Sequence, residues 1–130
     1  MTDEQWRTFF QICSRVLGPG SRRAAFSQSW CGWTTFQALR EGVTYWEAGV
    51  PSENELESSY TTDGGTWGQP FSYQDLAHVI VPRTFDWESG MGAEFKYGTK
   101  EQDIDSLSRE LAKAGIMHRK TDLVLEIKLY

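Results

Sequence analysis

No lysine or arginine occurs between Arg40 and Arg83. Seven acids fall in that gap: Glu41, Glu47, Glu53, Glu55, Glu57, Asp63 and Asp75. The rest of the chain sets all 13 basic residues against 11 acids. The net charge of −5 therefore comes from one stretch. Duplex DNA and RNA, whose phosphates need clustered Lys and Arg, are excluded as direct ligands. Cysteine is nearly absent too. Cys13 and Cys31 stand alone, which allows at most one disulfide and points to a reducing compartment. His78 and His118 are the only histidines, and these four scattered residues lack the close pairs of a zinc site. No apolar run approaches the ~20 residues of a membrane-spanning helix. The opening run, Met1 to Trp6, lacks the basic start and apolar stretch of a secretory signal, so a cytoplasmic chain without membrane partners is expected. Gly18-Pro19-Gly20 and Asp63-Gly64-Gly65-Thr66 lack the Lys and following hydroxyl of a phosphate-binding loop and read as turns. No metal and no cofactor are expected.

Large rings, by contrast, are plentiful. Aromatics make up 14% of the chain and six are Trp. At 130 residues the chain is one domain by size, 1–130, with enough apolar residues for a real core. Trp6, Phe9, Phe10, Cys13, Val16 and Leu17 recur at helical spacing, which predicts a helix from Asp3 to Leu17 with Thr2 as its cap. Trp33, Phe36 and Leu39 suggest a short helix ended by Gly42, and Val43 to Trp46 a strand. Residues 48–72 read as a long, acidic, aromatic-rich loop. Alternation predicts one strand from Val79 to Trp87, a turn, and a return strand from Ala93 to Tyr97. Thr99 is read as the cap of a helix over 100–114, with Ile104, Leu107, Leu111 and Ala114 inward. A final strand puts Leu123, Leu125, Ile127 and Leu129 on one face. The order implies an α+β domain, with helices packed on one face of a mostly antiparallel sheet.

Three chemistries are open to such a chain. Trp30-Cys31-Gly32-Trp33 offers a lone thiol, but a redox motif needs a second Cys where Trp33 stands. A small enzyme would use Cys31 or carboxylates of the loop; Asp86 and Glu88 are the other acids available for acid–base work. An acidic nucleic-acid mimic would set its carboxylates along a rigid strip. The third chemistry is protein binding, in which acids attract a basic partner and rings give rigid contact area. It selects Glu47, Glu53, Glu55, Glu57, Tyr60, Asp63, Trp67, Asp86 and Glu88 as the partner-binding residues.

In size, charge and type, across its whole length, the chain resembles the immunity proteins of bacterial toxin systems. Those are small, acidic domains without catalytic motifs. The resemblance implies a non-enzymatic cytoplasmic protein that binds and neutralises a basic toxin domain. A monomer or weak dimer is expected.

Overall fold

The computed structural model describes residues 1–130 as three helices and seven strands in a single α+β domain. The first helix, α1 (Asp3–Leu17), begins at a capping box: Gln5 N–H donates to Thr2 Oγ1 at 3.1 Å, and Thr2 N–H donates to Gln5 Oε1 at 2.8 Å. Its stripe buries Trp6, Phe9, Phe10 and Cys13. Strand β1 (Cys31–Thr35) follows a 3₁₀ turn at Ala24–Phe26. Thr35 then caps α2 (Phe36–Glu41). Trp33 therefore lies in a strand and not in the helix its spacing implied. Next come β2 (Trp46–Ala48), β3 (Leu76–Pro82), β4 (Thr84–Ser89), β5 (Lys96–Glu101), α3 (Ile104–Lys113), β6 (Arg119–Lys120) and β7 (Val124–Lys128).

Five strands form one sheet in the order β2-β1-β3-β7-β6, and every pairing in it is antiparallel. The register aligns Trp46, Trp33, Val79 and Ile127 in one row across the sheet. This face carries the core, and α1 and α3 pack over it with Ile104, Leu107 and Leu111 inward. Burying such side chains contributes about 1.5–3 kcal/mol each. The helix α3 starts at Asp103, whose carboxylate accepts from Ser106 N–H at 2.9 Å, four residues later than the Thr99 cap expected from sequence. Ala114 falls beyond its end and is exposed. On β7, Leu125 and Ile127 are buried while Leu123 and Leu129 at the strand's ends are exposed.

The segment 48–72 has one 3₁₀ turn, Glu53–Glu55, and two isolated bridges, Leu56 to Thr61 and Tyr60 to Ser72. It is not a solvated loop. Val50, Leu56, Trp67 and Phe71 all enter the core, so the segment closes one side of the domain.

The run Val79–Trp87 is not one strand. It breaks at Arg83, and the chain leaves the five-stranded sheet to form a separate hairpin of β4 and β5.

Candidate functional site

Folding splits the acidic stretch: Glu53 and Glu55 are engaged, while Glu41, Glu47, Glu57, Asp63 and Asp75 stay exposed. Arginines from α1 and the turn after it reach residues 53–65. Arg15 pairs with Glu53, Arg7 Nε donates to the Leu56 carbonyl at 3.4 Å, and Arg22 Nε donates to the Gly65 carbonyl at 3.1 Å. Glu55 turns inward: its carboxylate accepts from Ser52 N–H at 3.3 Å, Thr66 N–H at 3.1 Å and Thr66 Oγ1 at 2.9 Å. It holds the segment's shape and is not free to meet a partner. Trp67, expected among the contact residues, is buried. Its ring stacks on Trp33 with centroids 3.8 Å apart, and its indole N–H donates to the Gly49 carbonyl at 3.2 Å. Glu57, Tyr60 and Asp63 stay exposed, without a shared cleft.

The remaining three residues, Glu47, Asp86 and Glu88, line one cleft of about 870 Å³. It lies where the β4–β5 hairpin stands against Trp30 and β2. The hairpin has two faces because side chains alternate along a strand. Phe85 and Trp87 of β4 share one face with Gly98 and Lys100 of β5. Phe85 is buried and stacks on Trp30, with centroids 5.8 Å apart and planes 18° apart. Lys100 Nζ donates to the Ser27 carbonyl at 2.6 Å and lies 5.8 Å from the Phe85 ring centroid. The Trp87 indole covers Gly98, where a Cβ would stand 2.8 Å from Nε1. A larger residue there would have to displace the ring. The opposite face pairs Asp86 with Thr99, Glu88 with Tyr97 and Thr84 with Glu101, all exposed. Asp86 accepts from Thr99 Oγ1 at 3.1 Å.

Exposed apolar side chains gather around this hairpin. Phe95 and Tyr97 sit with centroids 6.0 Å apart, and Tyr97 is 79% exposed. Met91 at the turn is 86% exposed. Phe26, 70% exposed, shares a shallow cleft with Phe95 and Glu88.

Two residues fix the hairpin's position. Gln102 is buried, and its side chain bridges the gap: it accepts from Trp30 N–H at 2.9 Å and donates to the carbonyls of Trp30 at 2.9 Å and Pro82 at 2.8 Å. At the junction Arg83 grips Asp105 through two bonds of 3.1 Å, and Lys120 reaches the same carboxylate at 2.8 Å. Hydrogen bonds from Arg83 and then Lys120 hold the Asp105 carboxyl well below the usual carboxylate range. Neither role was legible in the sequence. The only signal was the Pro82-Arg83 break in an alternating run.

No family model, curated protein or solved structure matches this chain. The functional reading rests on the chemistry of the site.

That chemistry argues against an activated nucleophile. Cys31 is buried, its thiol is pushed up by desolvation, and its nearest acceptor is the Gly49 carbonyl at 3.9 Å. Such a thiol carries little thiolate at neutral pH. His78 does sit in a carboxylate–imidazole–hydroxyl chain, on the sheet face away from the core. Its Nε2 is 2.8 Å from Glu126 Oε2, its Nδ1 is 2.8 Å from the Tyr45 hydroxyl, and Tyr45 is 3.1 Å from the Tyr130 hydroxyl. The hydroxyl is a phenol pushed up to about 12, by burial first and by Tyr130 second. Neither Tyr45 nor His78 lines the clefts at the hairpin or beside α2. The chain ties Tyr45 and the C-terminal residue to the sheet. No three His, Cys, Asp or Glu side chains converge to ligate a metal ion.

Proposed function

We propose that this domain is a protein-binding module that uses the β4–β5 hairpin to hold a basic partner. In the manner of the immunity proteins it resembles, its role is to neutralise a toxin domain by covering it. One observation carries the reading: exposed Phe95 lines two adjoining clefts, one with exposed Phe26 and Glu88, the other with exposed Tyr97, Glu47, Asp86 and Glu88. Exposed apolar rings supply anchors that desolvate on binding, and a rim of acids steers a basic surface into register. Clustered exposed apolar groups on a small domain mark interaction surfaces. A nucleic-acid mimic fits less well, because the acids of the hairpin's outer face are interrupted by Tyr97 and Thr99. An enzyme using a thiol fits less well because both cysteines are buried.

The test is comparative capture from the native cytoplasm. Wild type, a Phe95→Ala/Tyr97→Ala variant and a Glu57→Gln/Asp63→Gln control serve as baits. The expected outcome is one basic protein retained by wild type and control and lost by the hairpin variant. With that partner in hand, Asp86→Lys/Glu88→Lys should slow association and flatten its salt dependence. A hairpin variant that captures everything the wild type does refutes the reading.

A further inference from the structure

Trp46 and Glu47 are successive residues of β2 and so point to opposite faces of the sheet. Glu47 lines the hairpin cleft; Trp46 lines a second cleft, of about 540 Å³, between α2 and the residues leading into β3. Trp46 is half-buried and meets Phe71 edge-on, with centroids 5.4 Å apart and planes 61° apart, which fixes the indole in place. Glu41, Asp75, Gln37 and Gln69 line the same cleft. No Lys or Arg lines the cleft. None of the chain's ion pairs includes Glu41 or Asp75. Gln37 Nε2 donates to Glu41 Oε1 at 3.0 Å, which orients that carboxylate and leaves its second oxygen open. The arginines that reach residues 53–65 do not line this cleft.

We propose that this cleft binds an arginine side chain presented by a protein partner. A guanidinium is planar, permanently charged and carries five N–H donors. It stacks on an indole while its edge donates to carboxylate and carboxamide oxygens. Every polar group named above has an acceptor oxygen for it, and two negative charges without a counter-charge select a cation over a neutral sugar. An ammonium brings the charge but not the planar fork, so lysine fits less well. The site needs no part of the hairpin reading, and it is tested without a partner.

The experiment follows the Trp46 indole N–H in spectra of the ¹⁵N-labelled full chain, assigned by its loss in Trp46→Phe. The probe is N-acetyl-arginine amide, with N-acetyl-lysine amide and a methyl glucoside in parallel. Expected is a saturable shift with the arginine probe, weaker with lysine and absent with the sugar. Glu41→Gln/Asp75→Asn should weaken binding by roughly tenfold or more, as loss of charge-assisted bonds does. Both acids are exposed, so that variant keeps its fold. Glu57→Gln/Asp63→Asn should change nothing. As a check that needs no variant, raising the salt concentration should weaken arginine binding to wild type. The proposal is overturned by the absence of a saturable shift at Trp46, by equal binding of lysine or sugar, or by equal weakening in both double variants.

Discussion

Replacing Gln102 should loosen the hairpin before it loosens anything else. The side chain makes three hydrogen bonds in a buried site, one from Trp30 N–H and two to the carbonyls of Trp30 and Pro82. A net hydrogen bond contributes about 1 kcal/mol, and a buried donor or acceptor left without a partner adds about 1–3 kcal/mol. Gln102→Ala deletes all three bonds and strands the Trp30 N–H, so a loss of about 4 kcal/mol is expected. At about 3 °C per kcal/mol for a chain of this size, the melting temperature should fall by roughly 12 °C. Gln102→Glu isolates the donors: it keeps the volume and the acceptor but sets carboxylate oxygen against two carbonyls, and should be at least as damaging. Urea denaturation gives the free energies, and amide exchange gives the location. Amides of β4 and β5 should exchange faster in both variants while those of β3 follow global unfolding. A loss below about 1 kcal/mol in both variants, or uniform acceleration across the two sheets, would refute the clamp.

Three further outcomes follow from other contacts. Gly98→Ala should displace the Trp87 indole, since the new Cβ would stand 2.8 Å from its nitrogen; a loss of about 1–3 kcal/mol by denaturation and an altered near-ultraviolet tryptophan spectrum are expected. Trp67→Ala should act as a core deletion, destabilising by about 3–5 kcal/mol in urea; a near-neutral result would mean the ring is not packed on Trp33. At alkaline pH the phenols of Tyr45 and Tyr73, both pushed up to about 12 chiefly by burial, keep their protons longer in the folded chain than in the unfolded one. Stability from this source is therefore complete below about pH 10 and is lost as pH rises toward 12; melts of Tyr45→Phe across that range should show a shallower decline than wild type.

Where one periodicity ran unbroken, the sequence could be read directly. The stripe from Trp6 to Cys13 became α1 with the expected cap, and Leu125 and Ile127 became the buried face of β7. Two patterns misled for the same reason: local spacing is blind to where an element hands over to the next. Trp33, Phe36 and Leu39 keep helical intervals across the end of β1 and the start of α2, and the boundary is marked only by Thr35 as a cap. Alternation through Val81, Arg83 and Phe85 likewise continues while the chain changes sheets. Charge was the least legible property. A segment without bases is acidic in sequence, yet Arg7, Arg15 and Arg22 come back over it once α1 is in place. Of the nine residues expected at an interface, Glu47, Asp86 and Glu88 border one cleft, Glu55 and Trp67 turn inward, and Glu53 is paired.

A single residue, Arg83, separates β4 from the main sheet along the chain, and the hairpin's outward face, Asp86, Glu88, Tyr97 and Thr99, gives nothing to the core. Rewriting that face leaves the packing of α1, α3 and the five-stranded sheet untouched. Such a layout lets that face vary at little expense to folding, so a lineage, or an engineer, can change four side chains on one ribbon and keep the other elements as they are.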